Sequence, residues 1–167
     1  MEIRKSKLSD IPDIEKIYKS AKTFMHENGN PNQWCGEYPN GDSAKADIER
    51  GIGYVCRDGE EIVAVFAFCI EDEPTYAKIY DGTWLDDLRY AYIHRIAVKH
   101  HGRGIVDFCF CECFKMHPNL KIDTHADNIP MQRVLLRNGF IHCGTIYLED
   151  GSPRLAYQKT TKTEENL

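Results

Sequence analysis

Between residues 89 and 116, a strand-like run passes through a glycine-bearing turn directly into a helical run. The stretch RYAYIHRIAV is rich in aromatic and β-branched residues, which favour strands. It continues into HHGRG, and from Ile105 to about Met116 the apolar residues recur with helical spacing. Gly102 and Gly104 let the backbone approach a ligand closely, and the free N–H groups at the start of a helix favour an anion. The segment therefore predicts a strand, an anion-binding turn and a helix.

Three basic side chains accompany this turn. His100, His101 and Arg103 add positive character to the expected anion site. A Gly-x-Gly pattern before a helix also serves tight turns that bind nothing. From these residues alone, a phosphate-binding turn and a purely structural turn both stay open.

The rest of the chain alternates short strands and helices, without repeats or a linker. The predicted elements, in chain order, are a strand in EIRKS, a helix from the cap Ser9-Asp10 to near Met25, a helix over 43–50, a hairpin around Asp58-Gly59, the strand and helix of 89–116, a strand in LKIDTHAD, a helix from Asn128 to Gly139, and a hairpin around Glu149-Asp150-Gly151. This order predicts one α/β (α+β) domain over 1–160, with a mixed sheet and helices on both faces. We expect a frayed tail over 161–167.

Charge and hydropathy exclude several classes of protein. The 21 Lys and Arg residues stand against 26 Asp and Glu, a formal net charge of -5, which argues against a nucleic-acid partner. No run approaches the roughly 20 apolar residues that span a bilayer, and the N-terminus scatters charge where a signal peptide would be apolar. We therefore expect a cytoplasmic protein without a membrane partner.

The seven cysteines predict reduced thiols, because their number is odd and no secretory signal precedes them. Cys109, Cys111 and Cys113 lack the C-x2-C spacing of zinc sites. On a helix, Cys109 and Cys113 share one face and are typical of core residues. The polar run DTHAD at 123–127 could supply metal ligands, but it has no companion cluster. We predict no bound metal.

Two motifs at a fixed separation resemble the GNAT superfamily of N-acetyltransferases. The strand RIAV followed by HGRGIV is similar to the family's R/Q-x-x-G-x-G/A loop, which cradles the pyrophosphate of acetyl-CoA. The second motif begins at Asn128 and ends in a Gly-Phe pair at Phe140, at the family's interval. His101 stands where the family has Arg or Gln, Gly104 matches its central glycine, and Val106 replaces its usual Gly or Ala. The order of elements resembles the family across essentially the whole chain.

The resemblance implies acetyl-CoA as co-substrate, held largely by main chain. The strand around Ile96 and Val98 would hydrogen-bond the pantetheine arm, and a bulge would free an N–H near Ile96 to meet the acetyl carbonyl. The implied cofactor-binding residues are Ile96, Ala97, Val98, His101, Gly102, Arg103, Gly104, Ile105, Val106 and Asn128.

The acceptor amine must lose a proton, and histidine titrates closest to neutral pH. His94 lies on the strand that leads to the implied pantetheine site. His125 lies at the end of the facing strand, where alternation places it on the same face as Asp123, whose carboxylate could reinforce a protonated imidazole. His94 could instead pack within the sheet, and His125 could help cap the next helix. The predicted catalytic residues are His94, His125 and, through its N–H, Ile96.

Leu135 occupies the position where many members of the family carry a tyrosine that resembles a general acid for the thiolate. Leucine cannot donate a proton. Tyr147, Tyr157 and Cys143 in the C-terminal hairpin are replacement candidates, although each is typical of a core or sheet residue. Otherwise the thiolate leaves unassisted, or the site is not catalytic.

Trp34 and Tyr38 lie in the long loop after the first helix, which in the family covers the acceptor. They could bind the substrate or anchor the loop. The sequence thus predicts direct acetyl transfer from acetyl-CoA to a primary amine of a small molecule, with a homodimer as a further partner. The acidic charge favours a cationic acceptor such as a polyamine. The alternatives are a non-catalytic acyl-CoA-binding sensor and a Cys/His metal protein.

Overall fold

The structure is a computed structural model that describes residues 1–161, so the tail expected at 161–167 lies, apart from Thr161, outside the described residues. The strands are β1 (Glu2–Lys5), β2 (Gly53–Asp58), β3 (Glu61–Cys69), β4 (Ala91–Val98), β5 (Asn119–Thr124), β6 (Ile141–Tyr147) and β7 (Pro153–Thr160). The helices are α1 (Ile11–Glu27), α2 (Gly41–Glu49), α3 (Ile105–Met116) and α4 (Ile129–Arg137), with short 3₁₀ turns at Leu8–Asp10 and Pro74–Tyr76. The order of strands and long helices agrees with the prediction.

The described strands form one seven-stranded sheet in the order β1-β2-β3-β4-β5-β7-β6. All neighbouring strands are antiparallel except β4 and β5, so the predicted mixed, mostly antiparallel sheet is confirmed. The parallel pairing of β4 with β5 covers only Ala91 opposite Leu120 and Tyr92 opposite Lys121. Beyond these pairs the two strands diverge, and the sheet opens at its centre.

The helices cover both faces of the sheet. Neighbouring residues on a strand point to opposite faces, and Val55 packs with α1 and α2 whereas Cys56 packs with α3 and α4. In the larger cluster, Cys109 and Cys113 are completely buried while Cys111 is exposed, as the helical spacing predicts. Cys109 and Cys113 are therefore core residues.

A third apolar cluster lies under residues 70–90, a segment that the sequence leaves without a regular element. Tyr76 and Tyr90 are buried in it. The ammonium of Lys121 lies 4.2 Å from the ring centroid of Trp84 and 4.0 Å from that of Tyr90, so the charge rests on aromatic faces. These contacts fix the segment against β4 and β5.

Across residues 1–161, no helix combines the length and the apolar character that a membrane span requires.

Candidate active site

A cleft of about 160 Å³ opens where β4 and β5 diverge. Its walls come from α1, the loop between α1 and α2, β4, β5, β7 and the start of α4. The residues that line it are Met25, Gln33, Trp34, Tyr38, Ile93, His94, Arg95, Ile96, Ile122, Asp123, Thr124, Asn128, Met131, Leu148 and Arg154. Side chains distant in sequence thus meet at this one opening.

A narrower channel of about 90 Å³ adjoins the cleft, because the two share Met25, Ile96, Asn128 and Met131. Six of the ten residues predicted for cofactor binding line this channel. They are Ile96, Ala97, Val98, His101, Val106 and Asn128. The other four, at 102–105, form the turn that connects His101 to Val106. The channel therefore runs from the cleft to the glycine turn.

The glycine turn has room for an anion at the start of α3. Gly102 and Gly104 have φ angles of 74° and 70°, which favour glycine. A Cβ at Gly102 would meet no atom within 4 Å, and one at Gly104 would meet only Asp107 Oδ2 at 3.9 Å. The first helical bond runs from Phe108 N–H to the Gly104 carbonyl at 3.0 Å, so the preceding amides stay available. The turn fits the diphosphate of acetyl-CoA.

Asp107, in the first turn of α3, places a negative charge near this anion site, and that charge is paired with Arg137. Its carboxylate accepts hydrogen bonds from Arg137 at 2.9 Å and from Asn138 at 2.8 Å. The bond from Arg137 keeps the pKa of Asp107 below its ordinary value despite partial burial. The negative charge of the Asp107 carboxylate is thus balanced by Arg137 of α4.

The expectation that His101 adds positive charge is wrong. Its ring stacks on Phe24, with centroids 3.6 Å apart and planes 10° from parallel. Burial lowers the pKa of His101, and the nearby His100 lowers it further, so the ring is neutral at pH 7. His100 Nε2 lies 3.4 Å from Glu61 Oε1.

The strand β4 has a bulge beside the cleft. Ala97 pairs with Val65 and His94 with Ala67, so Arg95 and Ile96 together face Phe66. Arg95 has a φ of 53°, a left-handed conformation that costs a non-glycine residue roughly 1–3 kcal/mol. The bulge interrupts the ladder at Arg95 and Ile96, and both residues line the cleft.

Two partners bind the Arg95 side chain and so stabilise the strained backbone at this residue. Its guanidinium donates to both carboxylate oxygens of Asp47, at 3.1 and 2.5 Å, and to the hydroxyl of Tyr38 at 3.3 Å. Asp47 lies on α2 and is buried. The bulge is therefore anchored from α2 and from the loop before it.

His94 lies on the cleft wall between two carboxylates. Its Nε2 is 3.3 Å from the hydroxyl of Tyr76 and 3.8 Å from Asp123 Oδ2, and its Nδ1 is 4.0 Å from Glu73 Oε2. Tyr76 donates a 2.6 Å hydrogen bond to Asp123. Burial lowers the pKa of His94, while Asp123 and Glu73 act in the opposite direction. The imidazole is neutral at pH 7 and is surrounded by groups that stabilise its protonated form.

The expected pairing of His125 with Asp123 differs from the contacts in the structure. Strand β5 ends at Thr124, so the alternation does not continue to His125. His125 Nδ1 instead accepts a 3.0 Å hydrogen bond from the Asp127 N–H, and it lies 3.6 Å from the Asp127 carboxylate. His125 does not line the cleft; it stabilises the turn before α4, the alternative role raised from the sequence.

The proton donors proposed from the C-terminal hairpin are outside the lining of both the cleft and the channel. Tyr147 is exposed and packs edge-on against Tyr80, while Tyr157 and Cys143 are buried. Burial raises the pKa of the Cys143 thiol to about 11. Leu135 is completely buried in the larger core cluster.

Trp34 and Tyr38 both lie on the cleft wall, and the loop that carries them is tied to α4. Gln33 Oε1 accepts hydrogen bonds from the side-chain amides of Asn30 and Asn128, each at 2.8 Å. Asn128 also caps α4 by accepting from the Met131 N–H at 3.2 Å. The loop is thus held over the cleft by buried amide contacts.

Several residues of the site carry no local sequence signal. Glu73 and Tyr76 lie in the irregular segment 70–90, and Asp47, Gln33 and Arg154 belong to three other segments. Only their meeting in the fold makes them part of the site. Among residues 1–161, no three His, Cys, Asp or Glu side chains are arranged to hold a metal ion.

A bulged strand, a diverging neighbour and a glycine turn at a helix start meet at one site. No family model matches the chain, and no curated protein matches it either. Solved structures do match. A GNAT-family acetyltransferase from Streptococcus agalactiae 2603 is 32% identical with a TM-score of 0.88, over 96% of this chain and 95% of that one. The chain therefore belongs to the GNAT family of acetyltransferases.

More distant structures share the fold. The yncA protein of Salmonella typhimurium, solved with its cofactor acetyl-CoA, is 14% identical with a TM-score of 0.62, over 96% of this chain and 93% of that one. A ribosomal-protein-alanine N-acetyltransferase from Brucella melitensis is 16% identical with a TM-score of 0.64, over 96% and 99% of the two chains.

Proposed function

We propose that this GNAT-family enzyme transfers the acetyl group of acetyl-CoA directly to a primary amine of a small molecule, in a ternary complex. The observation that carries the proposal is the continuity of the His94 cleft with the channel to the glycine turn, through Ile96. The amine and the thioester would meet at this junction.

The cofactor would be held by the channel and the turn. The amides at the start of α3 would bind the diphosphate, because a helix N-terminus favours negative charge. The strand residues Ile96–Val98 would flank the pantetheine arm. Acetyl-CoA supplies the thioester carbonyl that the amine attacks.

At this carbonyl, the Ile96 N–H would stabilise the negative charge that develops on oxygen. Because the bulge interrupts the ladder at this residue, the amide would be available to donate without reorganisation. Removal of one such preorganised donor typically costs about 3–4 kcal/mol of transition-state stabilisation. Arg95, held by Asp47, keeps the amide in place.

His94 would accept the proton of the amine. It is neutral at pH 7 because burial lowers its pKa. When it takes the proton, the carboxylates beside both ring nitrogens stabilise the imidazolium. Asp123 and Glu73 therefore act as positioning residues for the base.

The thiolate would leave without a proton donor, which explains how Leu135 is tolerated. A thiol has a pKa of about 8.5, so its anion is a good leaving group near neutral pH. This step requires no proton from Tyr147, Tyr157 or Cys143.

The size of the cleft favours a small acceptor. Its volume of about 160 Å³ corresponds to roughly five water molecules at ~30 Å³ each. Trp34 and Tyr38 would contact the acceptor from the loop. We further propose that residues 1–160 act as one domain, in the cytoplasm and as a homodimer, which rests on the sequence and the family resemblance.

A panel of primary amines, read by mass spectrometry for an added acetyl group, tests the transfer. Thermal melting with acetyl-CoA tests cofactor binding separately. Stabilisation together with an acetylated amine supports the enzyme, whereas stabilisation with no product from any amine supports the acyl-CoA sensor. Absence of stabilisation would overturn the placement of the cofactor. Thiol-based detection of CoA needs an enzyme blank, because the chain has seven cysteines.

A further inference from the structure

Two arginines line the cleft, and they differ in how their charge is balanced. Arg95 is paired with the buried carboxylate of Asp47. Arg154, on β7, is only 7% exposed and has no carboxylate within 4.0 Å among residues 1–161. Arginines are rarely buried without a partner, because an unpaired charge away from water is costly. Arg154 therefore lacks a carboxylate in direct contact, and the exposed Asp150 interacts with it only beyond salt-bridge distance.

The contacts of Arg154 leave part of its guanidinium free to bind a ligand. Nη1 donates to the carbonyl of Pro153 at 3.0 Å, and Nη2 donates to the carbonyl of Gln33 at 3.4 Å. Arginine has five N–H donors in a planar fork that matches a carboxylate. The two backbone contacts orient the fork and use only part of it.

Arg154 lies on the acceptor side of the site. It lines the cleft together with Gln33, Trp34 and Leu148, and none of these four residues lines the channel to the glycine turn. The phosphates of the cofactor belong at the other end of that channel. An acidic group on the acceptor would therefore reach Arg154 as a direct counter-ion.

We propose, on the basis of the function proposed above, that the acceptor is an amino-acid-like molecule whose acidic group binds Arg154. Its ammonium end would be attracted to Asp123 and Glu73 around His94, where it would lose its proton. Trp34, Leu148 and Met131 would contact an apolar side chain. The cleft thus carries charges of both signs, as recognition of a zwitterion requires.

This inference replaces the cationic acceptor suggested by the net charge of the whole chain. Exposed charges more than a Debye length away, about 8 Å at physiological ionic strength, are largely screened. A buried guanidinium in contact with the ligand is not. The local charge of the cleft therefore outweighs the overall balance of -5.

Matched acceptors test the proposal directly. Leucine, leucinamide and 3-methylbutylamine carry the same side chain and amine, with a carboxylate, an amide or no such group. The same triplet is assayed for the other apolar amino acids, and a dipeptide with N-terminal leucine represents a protein N-terminus. We expect kcat/KM for the best amino acid to exceed that of its amide and amine about 10- to 100-fold. Equal or better use of the amide, the amine or the dipeptide would overturn the proposal.

Variants show whether the preference comes from Arg154. In Arg154→Gln, we expect KM for the amino acid to rise about 10- to 100-fold, with little change for the amine that lacks the acid. Arg154→Lys should restore part of the loss. Arg57→Gln, which removes a half-buried arginine on β2, is the matched control. It should leave the KM for both the amino acid and the amine unchanged. An equal loss on all acceptors in Arg154→Gln would contradict the proposal.

A binding experiment tests this inference independently of the transfer reaction. The protein with CoA is titrated with each apolar amino acid and its amine, and stabilisation against heat is measured. Stabilisation by an amino acid that is lost in Arg154→Gln supports the acid-binding site even if no acceptor is acetylated. If no amino acid is acetylated and none stabilises the CoA-bound protein, the inference is wrong. Retained stabilisation of Arg154→Gln by acetyl-CoA shows that the variant is folded.

Discussion

The proposed cofactor side and the proposed acceptor side of this site are formed by different parts of the chain. The cofactor side consists of consecutive main chain, from the bulge at Ile96 to the start of α3, with glycines where the backbone turns. The acceptor side consists of side chains from α1, the loop between α1 and α2, β4, β5 and β7. Glu73 and Tyr76 of the 70–90 segment lie next to His94. On one side the ligand meets amides and apolar walls, and on the other it meets buried charges.

This difference separates the effects that substitutions should have. A change on the cofactor side acts through backbone shape and should alter the affinity for acetyl-CoA. A change on the acceptor side acts through charge and should alter the rate, the pH dependence or the choice of acceptor. The predictions below test this separation, and any variant that mixes the two effects would weaken it.

The largest expected effect is that of His94→Gln. Loss of the proposed base should lower kcat by roughly 10²- to 10⁴-fold, while the KM for acetyl-CoA stays within about twofold. Steady-state kinetics with both substrates measures the two parameters. His26→Gln, at the exposed end of α1, is the control. A kcat within twofold of wild type would remove His94 from the mechanism.

On the cofactor side, Gly104→Asp should reduce the affinity for acetyl-CoA about tenfold or more. The new carboxylate would itself lie at the start of α3, where the helix dipole favours an anion. It would therefore repel the diphosphate from this position. Aspartate tolerates the left-handed φ of 70° better than most residues, so the protein should fold. Calorimetric titration gives the Kd.

Gly151→Asp provides the matched control, since Gly151 also has a positive φ, of 83°, with no atom within 4 Å of an added Cβ. It lies in the turn between β6 and β7. An unchanged acetyl-CoA Kd in a folded Gly104→Asp protein would falsify the placement of the diphosphate.

A smaller effect is expected at the anchor of the bulge. Asp47→Asn removes the charge that holds Arg95, and we expect a three- to tenfold lower kcat with about 1–3 kcal/mol of lost stability. Asp10→Asn removes a buried carboxylate that Arg4 contacts at 2.7 Å, away from the cleft, and should lower stability alone. Equal kcat values in the two variants would show that the bulge does not depend on Asp47.

The smallest effect is a shift in the pH profile. Because only neutral His94 accepts a proton and burial lowers its pKa, the acid limb of kcat/KM should lie below pH 6.5. Asp123→Asn removes a carboxylate that raises this pKa, so the limb should move to lower pH. Tyr76→Phe frees that carboxylate from its 2.6 Å hydrogen bond, so the limb should move to higher pH. Shifts in the same direction for both variants would contradict the assigned network, which also includes Glu73 and, more distantly, Arg95 and Asp47.

The contrast also explains which features the sequence could predict. The helices, the strands and the glycine turn are each encoded by consecutive residues. Periodicity and the two motifs were therefore sufficient to predict them. Glu73, Tyr76 and Arg154 belong to the site only through long-range packing, which local patterns do not report. The pairing of Asp123 with His125 was wrong because it depended on one further residue of strand beyond Thr124. The order of strands, with β7 between β5 and β6, likewise depends on contacts across the chain.

The clamp on Arg95 has a consequence for engineering and for evolution. Tyr38 lines the cleft and at the same time accepts a hydrogen bond from Arg95, which lies in the bulge beside Ile96. Exchanging this loop for one with a different preference would therefore also disturb the geometry of bond formation. A successful graft would have to transplant the hydroxyl at 38 and the carboxylate at 47 together, as a single unit.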